Sequence, residues 1–120
     1  MGDAHTGLHE PADKLTPQTI DIHRAIISLI EELEAVDWYR QRSDAASDEE
    51  LRAILVHNMN EEIEHAVMTL EWLRRRVPKL DEELRTYLFT TGDVTKLEGE
   101  GAPKAPAAPR ATVGSLAGSD

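Results

Sequence analysis

Between Thr16 and Pro78 the apolar residues recur at helical spacing, and the pattern is interrupted only once, around Ser43-Asp44-Ala45-Ala46. Thr16 is suited to cap a helix, and Pro17 to its first position, where a missing N–H costs nothing. The spacing predicts a helix from there to about Arg42, roughly 26 residues and about 39 Å. Ser43–Ala46 reads as a short turn. Ser47, with Glu50 three residues later, forms a capping box that opens a second helix. Pro78 stops it, so that helix covers Asp48–Val77, about 30 residues and about 45 Å. Two long helices with so short a connection fold as an antiparallel hairpin.

A hairpin has one seam, yet each helix carries more than one stripe. Ile22, Ile26, Leu29, Leu33 and Val36 form an apolar seam on the first helix. Met59, Ile63, Ala66, Leu70, Leu73 and Val77 form one on the second. Beside them run Ala25, Ser28, Glu32, Ala35 and Tyr39 on the first, and Leu51, Leu55, Asn58, Glu62, His65, Thr69 and Trp72 on the second. A third line on the first helix is Ile27, Glu31, Glu34 and Trp38. Stripes that are apolar at some steps and ionisable at others predict a second buried contact with a polar centre. Its simplest source is another copy of the chain. The small size points the same way: 120 residues with 4% aromatics leave a thin core for one chain alone.

The ionisable positions in these stripes carry the chemistry. Glu32 has Leu29, Leu33 and Val36 as surface neighbours, and Glu62 has Met59, Ile63 and Ala66. His65 follows Glu62 by three residues, so both project from one face. Carboxylates in apolar company need partners, and no Lys or Arg lies in either stripe at these levels. A metal ion is the economical partner. With no cysteine in the chain, the donors are oxygen and nitrogen, which suit Fe, Mn or Zn. Carboxylate-bridged di-iron bundles take one Glu from each of two helices and Glu-x-x-His from each of two more. This chain holds half of that set on half of the helices, and two chains about a two-fold axis complete it. The alternatives are a non-catalytic helical assembly, with these residues as interface polars, and a module that binds Zn or Mn without turnover.

The rest of the chain bounds the classes of function. A net charge of −10 argues against nucleic acid and anionic membrane as partners. No apolar run approaches the roughly 20 residues of a membrane span, and the first residues show no signal-peptide order. Arg74-Arg75-Arg76 complements the C-terminus of the second helix. A short third helix is expected at about Asp81–Leu88, opened by Asp81-Glu82-Glu83, with Gly92 past its end. The fold class is therefore all-α: a two-helix hairpin plus a short C-terminal helix, dimerising into a four-helix bundle. Residues 1–15, with His5 and His9, read as disordered, 16–96 as the helical domain and 97–110 as a flexible Gly/Ala/Pro linker.

Three runs resemble a known family: HRAIISLIEELEAVDWY (His23–Tyr39), HNMNEEIEHAVMTLEWLRR (His57–Arg75) and LRTYLF (Leu84–Phe89). They are similar to those of the encapsulated ferritins, small two-helix relatives of ferritin. The resemblance implies a ferroxidase whose di-iron centre forms between two chains, with dimers assembling into a decameric ring. It makes Glu32, Glu62 and His65 of each chain the iron ligands, and sets Tyr39, as a catalytic residue, and Trp38 beside the centre. Glu31 and Glu34 would gather ions on their way in. His57 lies near the same region in the family, although the line His57, Glu61, Glu64 also reads as a solvated face. The oxidant, O2 or peroxide, stays open. Encapsulated ferritins are cytoplasmic cargo in the lumen of encapsulin nanocompartments. Residues 111–120 resemble their targeting peptides, with Val113, Gly114, Ser115 and Leu116 as the docking run. The closing Ala117-Gly118-Ser119-Asp120 lacks the basic residues that such peptides often carry.

Overall fold

The computed structural model describes residues 7–98. Among them are three α-helices, which we number α1 (Pro17–Ala45), α2 (Glu49–Arg76) and α3 (Pro78–Tyr87), and no β-strand. Single 3-10 turns lie at Ala12–Lys14 and Val94–Lys96. The first of these falls within the stretch read as disordered. It is closed by Lys14 N–H to Pro11 C=O at 2.9 Å. The readings of Val113, Gly114, Ser115 and Leu116, of His5, and of most of the linker lie outside the described residues. The chain divides into two compact units, Met1–Val77 and Pro78–Asp120.

In the first unit, α1 starts where the sequence signals it. Thr16 Oγ1 accepts from Thr19 N–H at 3.0 Å, and Pro17 takes the first helical position. The helix then runs three residues past the expected end. Ser43, read as part of the turn, is buried inside the last turn of α1, and its hydroxyl donates to Arg40 C=O at 2.9 Å. The connection shrinks to Ala46-Ser47-Asp48. The cap of α2 is Asp48 rather than Ser47: Asp48 Oδ2 accepts from Leu51 N–H at 2.8 Å. Asp and Ser cap about equally well, so propensity alone does not choose between neighbours.

Arg52 explains the choice. It sits in the first turn of α2, and its Nε donates to Ser43 C=O at 2.9 Å. A second guanidinium nitrogen donates to Ala46 C=O, and a third pairs with Glu49 at 2.6 Å. The last carbonyls of α1 have no helical partner, and they carry the negative end of its dipole. One cation therefore satisfies both needs and ties the end of α1 to the start of α2.

The two long helices pack along their length. Of their side chains, Ala66 (5% exposed) and Leu73 (3%) form the buried apolar core, with Ile22, Leu29, Val36, Leu55, Met59, Leu70 and Trp72 half-buried. The expected seams are split by this contact. Ile26, Leu33 and Ile63 belong to them by spacing but are 43%, 53% and 40% exposed. Two cylinders touch along a line, and a stripe at steps of three and four drifts across that line, so its outer members stay open. At the far end of α2, Glu71 bonds Arg74 at 2.8 Å and Arg75 at 2.7 Å. These bonds, from Arg74 first and then Arg75, hold its carboxyl well below the usual range, at about 2. Arg76 lies over the Trp72 ring at 4.2 Å. The basic run thus has side-chain partners as well as the helix dipole.

In the second unit, α3 begins at Pro78, three residues before the expected start, because Pro suits a first helical turn. Lys79–Glu83 at 2.8 Å and Asp81–Arg85 at 3.0 Å link successive turns. The helix ends at Tyr87, and the left-handed position beyond it is held by Phe89, with φ of 59°, as well as later by Gly92, with φ of 92°. A non-glycine residue there carries strain of about 1 kcal/mol. Asp93 Oδ1 accepts from Thr95 N–H at 3.0 Å and caps the final 3-10 turn. Leu97, at the expected start of the linker, is buried. No helix among the described residues is long and apolar enough to cross a membrane.

The Arg52 clamp has a measurable consequence. Arg52→Met keeps the stem and removes the donors, so it should destabilise the hairpin by about 1–3 kcal/mol. Ser47→Ala, one residue before the actual cap, should cost under about 0.5 kcal/mol. Chemical denaturation of the two variants checks the ranking.

Candidate metal centre

Glu62 and His65 share one face of α2, three residues apart. The carboxylate Oε1 and imidazole Nδ1 lie 3.7 Å apart, with side-chain exposures of 28% and 47%. That separation is too long for a hydrogen bond, so the two groups face the same space without consuming each other's lone pairs. A cation between a carboxylate oxygen and an imidazole nitrogen is the group this spacing suits.

Glu32 reaches the same helix pair from α1. It is half-buried, and its Oε1 accepts from Thr69 Oγ1 at 3.2 Å. Thr69 lies four residues beyond His65, about 6 Å along the axis of α2. Glu32 is therefore bonded to α2 at a position one turn beyond His65 and about two turns beyond Glu62. Consistent with that offset, no group of three or more His, Cys, Asp or Glu side chains close enough to hold a metal occurs among the described residues. Within one chain, Glu32 and Glu62 are half-buried and His65 is exposed, because the two helices cover only one line of each other.

The surroundings are apolar and open. Leu33 follows Glu32, Ile63 follows Glu62, and both are exposed, as are Val67 and Met68. Several arginine and lysine side chains pair elsewhere: Arg24 with Asp21, Arg52 with Glu49, Arg75 with Glu71, Lys79 with Glu82 and Glu83. The contacts of Glu32 and Glu62 are a hydroxyl and an imidazole. Two carboxylates and an imidazole, with no thiolate, fit Fe, Mn or Zn.

The other expected residues divide by exposure. Trp38 is 48% exposed, and Glu31 is exposed while Glu34 is half-buried. Tyr39 is half-buried, with the Arg42 guanidinium 5.5 Å from its ring centre. His57, Glu61 and Glu64 are all exposed, as expected of a solvated face. Spacing puts Thr69 in the stripe of Glu62 and His65 but assigns it no role. Its signal is that it follows a ligand candidate at one helical turn on the face shared with α1. An open groove of about 420 Å³ begins beside it, lined also by Asp21, Ala25, Met68 and Trp72.

Comparison with known proteins bears directly on this geometry. Residues 7–91 match the EncFtn-like family. The chain is 56% identical over 107 residues to the encapsulated ferritin-like protein of Rhodospirillum rubrum, covering 85% of this chain and 76% of that protein. It is 33% identical over 123 residues to the encapsulin nanocompartment cargo protein EncC of Myxococcus xanthus, covering 88% and 95%. A crystal structure of a Nitrosomonas europaea protein superposes with a TM-score of 0.71 at 59% identity, covering 72% of this chain and 96% of that one. With more than half of its length matched and a curated relative this similar, the chain belongs to the EncFtn-like family.

Proposed function

We propose that this protein is a ferroxidase, oxidising Fe2+ to Fe3+ at a di-iron centre shared by two chains. The observation that supports it is the incomplete donor set on an apolar, open hairpin face. Glu62 and His65 converge without bonding, Glu32 is half-buried and bonded to α2 one turn beyond His65, and Leu33 and Ile63 beside them stand exposed. A second copy packed there as a four-helix bundle covers the apolar residues and doubles the donors to four carboxylates and two imidazoles. The reading that such dimers build a decameric ring comes from the family resemblance.

The iron is substrate. Carboxylate donors favour the more highly charged ferric ion, which biases the site toward oxidation. Two ferrous ions release two electrons. Dioxygen takes them up with two protons to give hydrogen peroxide, or peroxide takes them up with two protons to give two waters. Glu32, Glu62 and His65 hold the ions, while Tyr39 and Trp38 flank them. Glu31 and Glu34 gather cations at the approach, where two carboxylates three residues apart on one helix raise the local negative potential.

The names of the Rhodospirillum and Myxococcus relatives support a setting inside an encapsulin shell, as cytoplasmic cargo. On this reading residues 16–96 are the working domain, 97–110 the tether, and Val113, Gly114, Ser115 and Leu116 the run that docks on the shell protein.

Fe2+ added in air should be oxidised by wild type faster than by buffer, with the ferric absorbance as readout. Glu32→Ala, Glu62→Ala and His65→Ala should each fall toward the buffer rate, and wild-type rates in all three would remove the site. The double variant Glu31→Ala/Glu34→Ala should slow uptake at low iron and spare the saturated rate. Deletion of residues 111–120 should leave ferroxidase activity intact and abolish co-purification with a co-expressed encapsulin. A truncated chain that still co-purifies would contradict the tether reading.

A further inference from the structure

We infer that Thr69 is a positioning residue for the Glu32 carboxylate, an assignment that rests on the ferroxidase reading above. The two residues stand on different helices, 37 positions apart, and Thr69 Oγ1 donates to Glu32 Oε1 at 3.2 Å. A threonine inside a helix ordinarily turns its hydroxyl back to the carbonyl three or four residues earlier. Thr86 does so, donating to Glu82 C=O at 3.1 Å. Thr69 instead points its hydroxyl across the hairpin at a carboxylate.

That choice has a chemical use. Glutamate is long and has three side-chain torsions, so an untethered Glu32 samples many positions. The β-branched Thr69 is stiff at its first torsion, which fixes where its hydroxyl lies. Engaging Oε1 leaves Oε2, and a second lone pair on Oε1, for an ion. Carboxylates that ligate metals are commonly held by such an outer hydrogen bond, and losing it costs about 10-fold to 100-fold in metal affinity or activity.

The test compares full-length, metal-free wild type with Thr69→Val, Thr69→Ser and Glu32→Ala. Each is titrated with Co2+, which binds oxygen and nitrogen donors without turning over. Binding is read by calorimetry and by the visible Co2+ absorption, with thermal melting in parallel. Thr69→Val should lose at least about 10-fold in Co2+ affinity and shift the Co2+ spectrum while melting as wild type does. Thr69→Ser, which restores the hydroxyl, should recover both. Wild-type affinity in Thr69→Val, with Glu32→Ala impaired, overturns the positioning role and leaves the site reading intact. Equal losses in Thr69→Val and Thr69→Ser also overturn it, since packing rather than the hydroxyl then matters. Wild-type affinity in Glu32→Ala overturns the site reading itself, and the role of Thr69 with it.

Discussion

Two helices can cover only one line of each other, and most of this protein follows from that limit. Along the α1–α2 contact the buried apolar side chains are Ala66 and Leu73. Apolar residues a quarter-turn away, such as Leu33 and Ile63, stay open. Burying apolar surface is worth roughly 25 cal/mol per Å², and ordering each residue costs about 1–2 kcal/mol. A hairpin with so small an interior has little margin of its own. Its local fastenings therefore matter more than they would in a larger domain. The Thr16 and Asp48 caps and the Arg52 clamp each satisfy helix-end groups that would otherwise rely on water.

The acidic residues sort along the same line. Some pair with near neighbours in sequence: Asp21 with Arg24, Glu49 with Arg52, Glu71 with Arg74 and Arg75. Glu71 is the extreme case, its carboxyl held at about 2 by two guanidinium groups. Glu32 and Glu62 differ. They are half-buried beside apolar side chains, and their neighbours are a hydroxyl and an imidazole. The acids are thus of more than one kind, some paired with a guanidinium on the helix surface and these two set beside apolar side chains. Composition alone does not separate them; helix register does.

That register makes much of the fold legible in the sequence. Thr16-Pro17 and Pro78 bound the hairpin because their backbone chemistry acts locally. The pairing of Glu62 with His65 follows from 3.6 residues per turn. The turn itself was misplaced by a few residues, since Ser43, Ser47 and Asp48 are all competent to end or open a helix. What decides among them is Arg52, whose reach to Ser43 and Ala46 exists only once both helices are in place. The start of α3 is hidden in the sequence for a related reason: Pro78 both stops α2 and opens the next helix. Thr69 was visible in the right stripe, but its hydroxyl had a competing local acceptor in its own helix. Only the packing of α1 shows which one it takes.

A division of donors between copies, as proposed above, would have a thermodynamic corollary. If the ions are held by residues of two chains, each ion bound to the pair stabilises the pair, and each pairing raises the affinity for the ion by the same factor. Without metal, packing one open face on another brings Glu32 and Glu62 toward their counterparts, and like charges brought together resist assembly. Apolar burial of Leu33 and Ile63 acts in the opposite sense. Assembly and metal occupancy would then be one equilibrium rather than two, set by the balance between apolar contact and carboxylate repulsion. A carboxylate already tethered, as Glu32 is by Thr69, would lose less freedom in such an assembly. In a protein with so little core, preorganising one ligand before assembly is a direct way to shift that balance toward the occupied pair.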